Sequence, residues 1–101
     1  MDKNIIQDSI NEITEITDLF YQEKKQEAFG KLDKALANMM TIMDNLFSYK
    51  SSKPEFELDE EKLTKILKDA MNALQDGDVV LLADILQYDY LEYMQEIVEN
   101  I

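Results

Sequence analysis

Lys3-Asn4-Ile5-Ile6-Gln7-Asp8-Ser9-Ile10-Asn11-Glu12-Ile13-Thr14-Glu15-Ile16-Thr17-Asp18-Leu19-Phe20-Tyr21 can be read as strand or as helix. Its five isoleucines and two threonines are β-branched, and such residues favour strands. A half-buried strand needs apolar residues alternating by two. Here Ile6, Ile10, Ile13, Thr17 and Phe20 are spaced 4, 3, 4 and 3, with Ile5 and Ile16 flanking the same face. That is the helical period, so a helix is predicted over residues 3–21 and the chain is placed in the all-α class.

The same period continues outward. After the polar run Gln22-Glu23-Lys24-Lys25-Gln26, a second helix is expected over 26–49, with a stripe of Ala28, Leu32, Ala35, Met39, Ile42, Met43 and Leu46. A parallel row of Phe29, Leu36, Met40 and Phe47 widens its apolar sector. Gly30 sits near its start, which a close helix crossing or a late helix start would explain. Residues 50–58 form the clearest loop, with Pro54 biasing Lys53 away from helix and Phe56 and Leu58 placed to pin it to the body. A third helix is expected over 60–75 behind an Asp59 N-cap, on Leu63, Ile66, Leu67, Ala70 and Leu74. In Gln75-Asp76-Gly77-Asp78, Gly77 suits a left-handed helix cap and Asp78 an N-cap for a fourth helix over 79–100. On that helix Val79, Leu82, Ala83, Leu86, Tyr90, Tyr93, Met94, Ile97 and Ile101 mark one face, while Leu81, Ile85 and Tyr88 mark nearly the opposite one.

The expected architecture is a single domain, 1–101, folded as an antiparallel four-helix bundle of two hairpins, about 3–49 and 59–101, joined by the loop 50–58. The polar run at 22–26 lacks Gly and Pro, so three helices with the first two continuous is the alternative.

Composition removes most chemistries. The 101 residues carry ten lysines against 22 acids, a net charge of −12, and contain no His, Cys, Trp or Arg. Disulfides, a thiol nucleophile, a structural zinc and a histidine base are excluded. The acidic balance argues against binding nucleic acid or anionic membranes. The longest apolar run, Val79-Val80-Leu81-Leu82-Ala83, is far short of a membrane span, and Met1-Asp2-Lys3-Asn4 lacks the basic start of a signal peptide. A cytoplasmic setting is expected. With 46% hydrophobic residues at helical intervals, the chain does not read as disordered.

No catalytic, cofactor or metal residue is assigned. Ser9, Ser48, Ser51 and Ser52 have no base beside them in a recognisable motif, and two glycines cannot build a phosphate loop. Asp76-Gly77-Asp78 with Asp84 is the nearest approach to a carboxylate metal site, but it lacks the alternating ligands of a calcium loop and reads as a well-capped turn.

Binding is the better reading. Leu81, Ile85 and Tyr88 form an apolar row on the back of the fourth helix, suited to another protein or to a second copy of the chain. Met40 is the methionine of Met39, Met40 and Met43 expected nearest the surface, where Met accepts varied partners. Residues 69–101 hold eight acids and no lysine, a charge of −8, which would steer a basic partner or imitate a phosphate backbone. The expectation is therefore a non-enzymatic protein–protein interaction module, an adaptor or export-chaperone-like protein. The alternative is an acidic, nucleic-acid-mimicking inhibitor of a basic protein. A carboxylate metal enzyme is the third reading.

The stretch Asp78-Val79-Val80-Leu81-Leu82-Ala83-Asp84-Ile85-Leu86-Gln87-Tyr88-Asp89 resembles a segment of small uncharacterised helical proteins of low-GC Gram-positive bacteria. Those carry a leucine-alanine-aspartate and tyrosine-acid signature near the C-terminus, and the resemblance implies no activity. In size, acidity and helical plan the chain is also similar to flagellar-type export chaperones, a likeness of architecture alone.

Overall fold

The computed structural model describes residues 2–101. It is all-α: α1 is Lys3–Tyr21, α2 is Lys25–Ser52 and α3 is Glu60–Gln75. The fourth helix, α4, begins as Val79–Asp84, widens into a π-helical segment Ile85–Tyr90, and continues as Leu91–Asn100. The first two helices are therefore separate, and the alternative of one continuous rod is not what forms.

Each helix starts and stops for a local reason. Asp2, Asp59 and Asp78 accept hydrogen bonds from the backbone N–H groups of Asn4, Lys62 and Leu81, at 2.8, 3.0 and 3.0 Å. Such caps satisfy donors that a helix start leaves free. α1 ends in a Schellman turn, with Glu23 N–H on the Phe20 carbonyl and Lys24 N–H on the Leu19 carbonyl. α3 ends in the same turn, with Gly77 N–H on Leu74 and Asp78 N–H on Ala73. The left-handed residue is Gly77 at φ +70° in one turn and Glu23 at φ +62° in the other.

α2 runs three residues further than the sequence suggests, to Ser52, and Lys50-Ser51-Ser52 is helical rather than loop. Ser51 Oγ donates to the Phe47 carbonyl, and Lys50 Nζ donates to the carbonyls of Pro54 and Phe56. The helix stops at Lys53, which is extended at φ −130° and ψ 81°, as a residue before proline prefers. Phe56 is buried, stacks edge-on to Tyr49 at 4.9 Å, and pins the loop as expected; Leu58 packs against the core beside it. Gly30 lies inside α2, and a Cβ there would meet nothing within 4 Å. Neither a close crossing nor a late start accounts for it, and nothing in the structure explains it.

The helices run up-down-up-down. α1 pairs antiparallel with α2 through Lys31–Glu15 at 2.8 Å, Asn38–Glu12 at 3.1 Å and an edge-on Phe20–Phe29 pair at 5.3 Å. α1 also lies against α4, and α4 against α3, so α1 and α4 are the inner pair of close neighbours. α2 and α3 make no comparably close approach. At 28 residues α2 is about 42 Å long, which sets the longest dimension of the molecule, 41 Å.

The π-helical segment follows from what α4 must bury. Leu82, Leu86, Tyr90 and Met94 are at most 1% exposed and are spaced by four throughout. In an α-helix three steps of four residues advance about 120° past three full turns. One wide turn, closed by Leu91 N–H on the Leu86 carbonyl five residues back, takes up the extra residue and keeps all four on one line.

Candidate interaction surface

The α1–α4 seam is cross-linked by polar side chains. Ser9 Oγ and Tyr90 Oη are 2.8 Å apart and buried. Thr17 Oγ1 donates to the Thr14 carbonyl or to Gln87 Oε1, at 2.9 and 3.1 Å. Tyr21 Oη donates to Asp84 Oδ1 at 2.7 Å. Gln87 and Tyr90 belong to the wide turn, so this irregular segment is held in register by α1. Among the described residues no buried side-chain nitrogen or oxygen lacks a partner.

Beyond this seam the surface opens. Val80 is 66% exposed, Leu81 47% and Tyr88 59% on α4, beside Tyr21 at 47% on α1. Helical spacing puts Val80, Asp84 and Tyr88 on one ridge, each four residues from the next. The Tyr21 hydroxyl is pushed up to about 12 by burial, then by its hydrogen bond to the Asp84 carboxylate, with Tyr88 adding to the effect. The phenol is therefore a settled donor, and the Asp84 side chain that accepts from it lies within the apolar patch.

Of the four residues expected to contact a partner, the structure brings two together. Leu81 and Tyr88 share this patch. Ile85 does not: it is 7% exposed and belongs to the core. It lies one turn before Asp89, which lines a cleft with Lys62, Lys65 and Ile66 of α3. That flank of α4 is roofed by α3, while Leu81, one turn earlier, stays 47% exposed. Met40 is 51% exposed, as expected of it, but stands on α2, which packs on the other side of α1. Sequence reasoning missed Val80, Asp84 and Tyr21. Tyr21 had no signal, because only the pairing of α1 with α4 brings it there.

The other sequence candidates are structural. Asp78 is occupied as a cap and Asp84 by Tyr21, and among the described residues no three acids are placed to hold a metal ion. Near the loop, the Tyr93 hydroxyl accepts from Asp59 N–H at 2.8 Å and Lys62 Nζ lies 4.6 Å from the Tyr93 ring centre. Among the described residues no helix is long and apolar enough to cross a membrane.

Comparison with known proteins adds a family and nothing closer. No curated protein and no solved structure matches the chain. One family model spans nearly the whole of it, residues 3–100. A coverage that takes in all four helices places this chain in the family described as Domain of unknown function (DUF8042).

Proposed function

We propose that this protein is a non-enzymatic, cytoplasmic interaction module that binds another protein through the first half of α4 and the adjoining end of α1. One observation carries the reading: three large apolar side chains of α4, Val80, Leu81 and Tyr88, are displayed together beside Tyr21 on a helix otherwise clamped from both sides. Burying such side chains is worth about 1.5–3 kcal/mol each, and a rigid support keeps the ordering cost of binding low. An adaptor or an export-chaperone-like escort fits this reading.

The experiment is affinity capture from the source cells with wild type and with Leu81→Ser/Tyr88→Ser. Both positions are exposed, so the double variant keeps its helical circular dichroism and cooperative melting while losing the captured protein. Capture that survives the double substitution removes the reading. The second reading, an acidic inhibitor on a basic protein's nucleic-acid site, draws on the −8 of residues 69–101. It predicts capture that collapses as salt rises whether or not Leu81 and Tyr88 are present. Lysines do reach that segment: Lys65 pairs with Asp69 at 2.6 Å and feels Asp89, so the cations come from α3.

A further inference from the structure

We infer that the partner surface on α1 and α4 takes a basic amphipathic helix of a different protein, with an apolar stripe at one end and Lys or Arg beyond it. This rests on the reading just proposed and names the occupant. The argument is charge complementarity. α1 and α4, the adjacent pair, carry nine acids and one lysine between them, Lys3. The outer helices α2 and α3 carry seven lysines against six acids. Glu12 and Glu15 meet Asn38 and Lys31 of α2, and Asp89 lies beside the α3 lysines, which leaves Asp84, Glu92 and Glu99 as the uncompensated charge on the helix that displays the apolar patch. Among the described residues no lysine lies within ion-pair distance of any α4 carboxylate.

The face is also graded along its length. From Val80 to Tyr88 its exposed side chains are mainly apolar; beyond them come Glu92, Gln95 and Glu99, while Asp89 and Glu96 line clefts with Lys62 and Lys65 and with Lys50 and Lys62. At 1.5 Å per residue the whole ridge is about 28 Å long, which about 19 residues of a partner helix would match. Such a helix lays apolar side chains on Val80, Leu81 and Tyr88 and cations on the acidic half. Asp84, inside the apolar part, selects a cation there as well and penalises an acidic partner left facing it. A second copy of this chain is disfavoured, because the same pair of helices brings the same acids with only Lys3 to set against them.

The probe is a synthetic amphipathic peptide of leucines and lysines, compared with a twin in which every lysine is replaced by glutamate. Amide chemical shifts of the full-length protein report where each one binds. The lysine peptide is expected to move resonances of Val80 to Glu99 and of the end of α1 near Tyr21, with affinity falling as salt rises. The glutamate twin is expected to leave them in place. Leu81→Ser/Tyr88→Ser should weaken binding about tenfold or more. Glu92→Gln/Glu99→Gln should weaken it by about two- to fivefold and flatten the salt dependence. Equal binding of the twin, no binding of the lysine peptide, or shifts centred on α2 or α3 would each overturn the inference. If the peptide fails while capture still depends on Leu81 and Tyr88, the partner class is wrong and the surface stands. If capture ignores those residues, the surface itself is wrong.

Discussion

The α1–α2 hairpin and the α3–α4 hairpin make the same turn from different residues. Both close with Schellman bonds of 2.8–3.1 Å, and both hold one residue at φ near +60° to +70°. In the second hairpin that residue is glycine, and Asp78 then caps the next helix. In the first it is Glu23, Lys24 provides no side-chain cap, and a glycine sits unused inside α2. The irregularity of the second hairpin lies instead within a helix, in the wide turn of α4. The contrast separates two causes. A turn is imposed by helices that must pack antiparallel, and favourable turn residues only lower its cost. The winding of a helix is imposed by which side chains must be buried.

The sharpest way to break this contrast is to delete one residue from each hairpin. Removing Asp89 converts the four-residue step from Leu86 to Tyr90 into a step of three, which ordinary α-helix accommodates. The fold is expected to survive with a loss on the order of 1–3 kcal/mol, read by chemical denaturation. Removing exposed Thr41 from the regular α2 rotates everything after it by about 100°. Ile42, Met43 and Leu46 then leave the core, at a cost on the order of the 5–15 kcal/mol that holds a domain folded. Equal tolerance of both deletions would refute the account of the wide turn.

The bond between the hairpins comes next. Tyr90→Phe leaves buried Ser9 without its partner and should cost about 1–3 kcal/mol at neutral pH. Burial holds the Tyr90 hydroxyl up at about 12, with Ser9 pulling slightly the other way, against about 10 in an unfolded chain. Below pH 10 both states keep the proton and this contribution is complete. Between about pH 10 and 12 only the folded state keeps it, so stability falls as pH rises, by on the order of 2–3 kcal/mol in all. Denaturation curves across that range should show a shallower fall in the Phe variant.

Exchanging turn residues sharpens the contrast further. Gly77→Ala forces a left-handed alanine into open space and should cost about 1 kcal/mol. Glu23→Gly relieves the matching strain and should gain about 0.5–1 kcal/mol. The smallest effect is a gain of about 0.5–1 kcal/mol for Gly30→Ala, where the helix has room for the methyl group. Melting temperatures of the three variants give the signs directly.

Much of this architecture is legible in the sequence. The bounds of α1, α3 and the whole of α4 follow from apolar spacing and from Asp59, Gly77 and Asp78. Apolar spacing puts the end of α2 too early because Lys50-Ser51-Ser52 looks like loop, whereas the helix continues to Ser52, with Ser51 Oγ donating to the Phe47 carbonyl. The interaction surface was legible only in part. Leu81 and Tyr88 share a back row with Ile85 on a helical wheel, yet α3 covers one of the three and leaves the others. No wheel of a single helix contains that neighbour.

Periodicity and caps are local: they depend on residues a few positions apart, so the order of residues alone specified the helical segments, the ends of α1, α3 and α4, and the corner at Gly77. Which helices became neighbours depends on contacts across 60 to 80 positions, such as Tyr21 with Asp84 and Ser9 with Tyr90. That choice placed α1 beside α4, brought Tyr21 to Asp84 and Ser9 to Tyr90, and left α3 to cover Ile85. Packing selected it, because buried area and paired hydroxyls are properties of the assembled bundle and of no segment within it.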